Sequence, residues 1–258
     1  MRDVSARVSP WFLLLLAVSV VGGVLAALGT REVVTYGHSV VYTVGLVLLV
    51  LGGWAVSLCL HEFGHAYVAY RNGDYSVRHK GYLTLDIRRY TDVGLSFVLP
   101  IVFLLLGAIP LPGGAVWIEH GLIRSKGARS LVSFAGPATN LLLALAITVS
   151  TLVVPMPRGL VIALSCLALF QVLAFVLNIL PIPGLDGFGV IEPYLSPQAR
   201  AATNQVRPWA PFVLIAVLLF VPGASAVLFT VGDALFSLIG GDALEARRGL
   251  TVLQFWRY

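Results

Sequence analysis

Long apolar runs constrain this chain more than any other feature it has. They cover residues 11–29, 40–60, 93–111, 131–154, 160–180 and 211–239, and a helix needs about 20 apolar residues to cross the hydrocarbon of a bilayer. In lipid every backbone polar group must find its partner within the protein, so runs of this length fold as helices. Composition agrees: 58% of the 258 residues are hydrophobic and 11% charged, with a mean hydropathy of +0.91. Water-soluble domains rarely tolerate such values. The expected fold class is an α-helical polytopic membrane protein with about six membrane segments, built as a single integral domain over residues 1–258. Arg2 and Arg7 precede the first run, but that run outlasts the roughly 7–15 residues of a signal-peptide core and reads as an uncleaved span.

The net charge of +5 follows from topology, and no nucleic-acid partner is expected. Arg71, Arg78, Lys80, Arg88 and Arg89 crowd one loop, and Arg124, Lys126 and Arg129 precede the next full span. The positive-inside rule places both clusters in the cytoplasm. That requires 93–111 to enter the membrane and return without crossing, which Pro100, Pro110, Pro112, Gly113 and Gly114 permit by interrupting a straight helix. A full crossing also stays open. So does the C-terminal run, broken at Pro222-Gly223, which reads equally as one span or as a helical hairpin.

At the end of the second run stands His61-Glu62-Phe63-Gly64-His65, where titratable groups are costly and functional by default. On a helix His61 and His65 fall on one face and can bind one metal ion, with Glu62 beside them as a candidate general base. Cys59 lies about 200° around the helix from His61; it and Cys166 read as small buried residues. His38, His79 and His120, at span ends or in loops, read as solvated or lipid-facing. A catalytic zinc takes three protein ligands. Asp86, Asp92 and Glu119 sit in polar loops and Asp233 and Asp242 near the C-terminal end, whereas Asp186 stands out. It closes Asn178-Ile-Leu-Pro181-Ile-Pro183-Gly184-Leu-Asp186-Gly187, a helix break at membrane depth of the sort tolerated only where backbone is buried in protein or lines a wet cavity. Gly136-Pro137-Ala-Thr-Asn140 interrupts another span with small residues; taken alone it reads as a packing site.

Together HEFGH, GPATN and NILPIPGLDG, in that order and in separate apolar spans, resemble the site-2 protease family, the intramembrane zinc metalloproteases of peptidase family M50. The resemblance runs from His61 to Gly187. It implies a three-helix catalytic core within about residues 40–190, one Zn2+ per chain held by His61, His65 and Asp186, Glu62 as the base, and Asn178 assisting at the reaction centre. It also makes Gly113-Gly114-Ala115-Val116-Trp117-Ile118 look like the family's re-entrant β-loop. Gly113, Gly114, Ala115 and Val116, with Asn140, are then the expected substrate-binding residues. The 93–111 segment departs from compact members, which have a shorter connection there.

The expected activity is hydrolysis of a peptide bond in or near the transmembrane segment of a membrane-protein substrate, in regulated intramembrane proteolysis. Such a helix hides its carbonyls and must unwind, and a short strand edge at 113–118 could pair with it; an interfacial turn anchored by Trp117 would fit the same residues. With no room for an appended soluble domain between spans, selection is expected to depend on the substrate having first been trimmed, on a regulatory partner protein, or on the spans themselves. The location expected is a bacterial cytoplasmic membrane, crossed several times. Two alternatives are a membrane metal-binding or transport protein and an inactive helix-binding relative. Glu62 discriminates against the first, since a transporter has no use for a base next to its ligand, and the intact HExxH and LDG signatures discriminate against the second.

Overall fold

The computed structural model describes residues 8–36, 39–90 and 116–254. Two long helices come first, α1 (Pro10–Tyr36) and α2 (Val40–Arg71). They lie antiparallel and in close contact: Gly22 faces the Gly45 and Leu49 backbone, Gly29 faces Tyr42, and Gly52 faces Ser19. A Cβ added at Gly22 would come within 2.2 Å of the Leu49 nitrogen. Small residues of this kind let backbones approach where lipid removes the hydrophobic drive for association. Ser39 caps α2 by accepting from the Tyr42 N–H. The helix then runs unbroken through HEFGH to Asn72 and Gly73, where a φ of +118° turns the chain.

The polar loop that follows holds two one-turn helices, α3 (Ser76–His79) and α4 (Ile87–Tyr90). The chain described again from Val116 is stitched onto this loop. Glu119 N–H donates to Asp74 Oδ2 (2.8 Å), Lys80 Nζ to Trp117 O (2.9 Å) and Glu119 Oε1 (3.0 Å), and Arg124 N–H to Asn72 O (3.3 Å). Both basic clusters therefore sit at the same end of the bundle. Tyr90 is buried beneath, its hydroxyl donating to Tyr82 O (2.6 Å), and burial pushes its phenol pKa up.

Next come α5 (Lys126–Val153) and α6 (Arg158–Asn178). With α2 they make the three-helix core. Ser125 caps α5. Helix α6 is the most enclosed, with every residue from Cys166 to Ala174 buried. Its own chain then turns through Gly184 (φ +97°) into α7 (Asp186–Ile191), followed by α8 (Pro197–Val206), α9 (Ala210–Phe220), α10 (Ala224–Leu238) and α11 (Ala243–Leu253). Gly232 of α10 faces Leu173, and Gly249 of α11 faces Cys166, which closes the far side of α6. Around the outside, Leu13, Leu14, Val20 and Leu28 of α1 and Leu142, Leu152 and Val153 of α5 are exposed. An apolar belt of this extent suits lipid and not water.

Among the described residues four helices, α1, α2, α5 and α6, are long and apolar enough to cross a membrane, or five spans if α9 and α10 count as one. Of the six segments expected, 93–111 lies outside the described residues. The C-terminal run is neither a straight span nor an antiparallel hairpin: α9 and α10 meet at 97°, with Gly223 in a left-handed conformation (φ +87°) at the joint. No strand occurs among the described residues. Gly113, Gly114 and Ala115 lie outside them, and Val116–Ile118 have no regular structure. Cys59 and Cys166 are free and buried.

Candidate metal centre

Helical spacing brings the two histidines of α2 together. Their Nε2 atoms are 3.2 Å apart, with the rings edge to face. Asp186, the first residue of α7, completes a triangle: its Oδ2 lies 3.1 Å from His61 Nε2 and its Oδ1 3.3 Å from His65 Nε2. His61, His65 and Asp186 are the one group of three potential metal ligands among the described residues. Asp186 reaches the site because the chain after α6 doubles back tightly. Ile182 N–H donates to Leu180 O and Leu185 N–H to Ile182 O, and Gly187 packs so closely on Ile179 that a Cβ would lie 2.1 Å from its carbonyl oxygen. The prolines and glycines of NILPIPGLDG serve this reversal.

The triangle fits a metal. Zinc bonded at about 2.0–2.1 Å in a tetrahedron has ligand–ligand edges of roughly 3.3–3.4 Å; the two imidazole nitrogens are 3.2 Å apart, each has a different Asp186 oxygen at 3.1 or 3.3 Å, and one ligand atom from each residue lies within 4.8 Å of the others. A cradle supports the fit: a Cβ on Gly136 of α5 would lie 2.2 Å from His65 Nε2 and 2.5 Å from His61 Nε2. Only glycine leaves the ligand atoms free there.

The other ring nitrogens are held as metal-binding imidazoles require. His65 Nδ1 donates to the Val132 carbonyl (2.7 Å), next to the turn of α5 that Pro137 deprives of its N–H. His61 Nδ1 donates to Asn140 Oδ1 (2.5 Å), and Asn140 Nδ2 donates to Gln171 Oε1 (2.8 Å) on α6. Asn140, expected to face substrate, thus stands behind His61. Gly64 accommodates α5, since a Cβ there would press on Thr139 and Ala135. The small residues of GPATN do allow close packing, but they also leave room for the two histidine rings and supply His61 with its hydrogen-bond partner.

Glu62 is buried beside the two histidines. The Val116 backbone N–H lies near its carboxylate, so the segment that begins at Val116 borders the site. Asn178, at the end of α6, is buried with its Nδ2 unpartnered. Gln171 belongs to none of the three motifs. Its one signal in the sequence is an amide in the middle of the 160–180 apolar run.

A multi-helix membrane bundle closing around an HExxH pair and a distant carboxylate defines a class, the membrane-embedded metallohydrolases. Comparison with known proteins makes it particular. The model of peptidase family M50 matches residues 47–157, which include HEFGH and GPATN. Rip2 of Mycobacterium tuberculosis strain H37Rv, named as a candidate zinc metalloprotease, is 42% identical over 98% of this chain and 95% of its own length. Rip2 of Mycolicibacterium smegmatis is 39% identical over the same shares, and YwhC of Bacillus subtilis strain 168, named likewise, is 31% identical over 69% of this chain and 83% of its own length. No solved structure matches significantly. The chain belongs to peptidase family M50 and is a metalloprotease.

Proposed function

We propose that this protein is an intramembrane zinc endopeptidase that cuts a peptide bond in or near the transmembrane segment of membrane-protein substrates, in regulated intramembrane proteolysis. The observation that carries the reading is the His61–His65–Asp186 cluster with Glu62 beside it, the two histidines and Glu62 buried and Asp186 half-buried, among helices fit to span a bilayer. His61, His65 and Asp186 would hold one zinc per chain. Zinc bound there supplies Lewis acidity, polarising a carbonyl and making water easier to deprotonate. Glu62 takes the proton from the attacking water and returns it to the leaving amine. Asn178 Nδ2, a buried donor with no partner, steadies the developing oxyanion.

Substrate binding falls to Gly113, Gly114, Ala115 and Val116. The Val116 N–H beside Glu62 supports this, because a peptide paired with that segment would present its carbonyls to the base. Asn140 is assigned instead to His61. The domain is single over residues 1–258, with its catalytic core at about 40–190. The two basic clusters at one end of the bundle mark the cytoplasmic face of a multi-pass bacterial cell membrane. Selection depends on the substrate having first been trimmed, on a partner protein or on the spans.

Zinc stoichiometry in detergent-purified protein tests the ligand set. About one zinc per chain in wild type, lost in folded His65→Ala and Asp186→Ala variants, is the expected result. Zinc indifferent to Asp186 would sever the link between α2 and α7 and overturn the site.

A further inference from the structure

The two ligand histidines are oriented by unlike partners. His65 Nδ1 meets the Val132 backbone carbonyl, which can only accept a hydrogen bond. Its proton is thereby held on Nδ1, and Nε2 keeps its lone pair. His61 Nδ1 meets the side-chain amide of Asn140, whose two ends have almost the same shape and opposite hydrogen-bonding character. With Oδ1 toward the ring, the His61 proton stays on Nδ1 and Nε2 faces Asp186 and His65 as a ligand. Turned by 180°, Nδ2 would face the ring, force Nδ1 to accept, and move the proton to Nε2, which could then bind no metal.

We propose that Gln171 is the positioning residue that keeps Asn140 in the first orientation: by accepting from Asn140 Nδ2 it holds Oδ1 against His61 Nδ1 and preserves the metal-binding tautomer. The inference rests on the reading of His61, His65 and Asp186 as metal ligands. Gln171 Oε1 lies 2.8 Å from Asn140 Nδ2, and the exposures of Gln171 (1%) and Asn140 (4%) leave little room for water to substitute. Gln171 Nε2 has no hydrogen-bond partner among the described residues, so the contact that ties this amide to them is the one it accepts. The relay crosses all three core helices, from α6 through α5 to α2. Reversing both amides at once would preserve the Asn140–Gln171 bond while presenting Nδ2 to His61.

The test is zinc affinity by chelator competition on full-length protein in detergent, with helix content checked for each variant. Gln171→Met keeps the volume and removes the acceptor, and should weaken zinc binding by about 10-fold or more. Gln171→Glu keeps an acceptor oxygen whether or not its carboxyl is ionised, and should stay within about threefold of wild type. In an Asn140→Asp background either carboxyl oxygen accepts from His61, so adding Gln171→Met there should change affinity by less than about twofold. Equal losses from Gln171→Met in both backgrounds would mean a packing role and overturn the proposal. So would an unchanged Gln171→Met, or a Gln171→Glu as weak as Gln171→Met. A folded wild type that binds no zinc would instead overturn the ligand reading beneath it.

Discussion

At the scale of single residues, the site depends on what is missing as much as on what is present. Gly136 has no side chain where two imidazole nitrogens need space, and both rings are tied behind by Asn140 and Val132. They cannot retreat without breaking those bonds. Gly136→Ala is therefore expected to lower zinc affinity by about 10–100-fold, with helical circular dichroism retained because alanine favours the helix; chelator competition checks it. Glu62→Gln should leave about one zinc per chain and lower cleavage of a transmembrane substrate by about 10²–10⁴-fold, the usual contribution of a positioned base. Near-normal turnover would remove Glu62 from that role. His61, Glu62 and His65 were legible because their spacing has one helical meaning. Asp186 was legible because a carboxylate in a proline-broken helix at membrane depth is costly without a use. Gln171 carried no motif, and its meaning lies wholly in an Asn140 that only the packing of α5 on α6 brings near.

At the scale of elements, apolar runs located the four long helices α1, α2, α5 and α6 but understated most of them. The run ending at Leu60 continues as helix to Arg71, because hydrophobicity marks the lipid-covered part while helix geometry persists until something stops it, here Asn72 and Gly73. The bend between α9 and α10 was half legible: Pro222-Gly223 announced a break, but the angle depends on what α10 packs against. The stitching of loop to loop was not legible, since it is made by hydrogen bonds far apart in sequence. Asp74 is its centre, fully buried and accepting from Ser76 N–H (3.0 Å), Ser76 Oγ (2.6 Å) and Glu119 N–H (2.8 Å). Asp74→Ala leaves these donors without an acceptor, at about 1–3 kcal/mol for a buried group, and frees the segment that borders Glu62. The expected outcome in steady-state kinetics is a KM raised by about 10-fold with zinc stoichiometry unchanged. A fall in kcat alone would contradict it.

For the whole molecule, one helix has an unusual share of the parts. α2 carries His61, Glu62 and His65, and through Asp74, Lys80 and Asn72 it also carries the segment beginning at Val116. Asp186 arrives from elsewhere, at the end of the turn that follows α6. A bilayer thicker or thinner than the spans makes helices tilt, each at a modest cost per ångström of mismatch. Tilting α2 would move Glu62 and the segment beginning at Val116 together, and would shift both relative to Asp186. In vesicles whose acyl chains are lengthened or shortened stepwise, KM should therefore hold within about twofold while zinc affinity peaks at one thickness. Membrane thickness would then act on this enzyme through its metal, making the local lipid composition a brake on when it can cut.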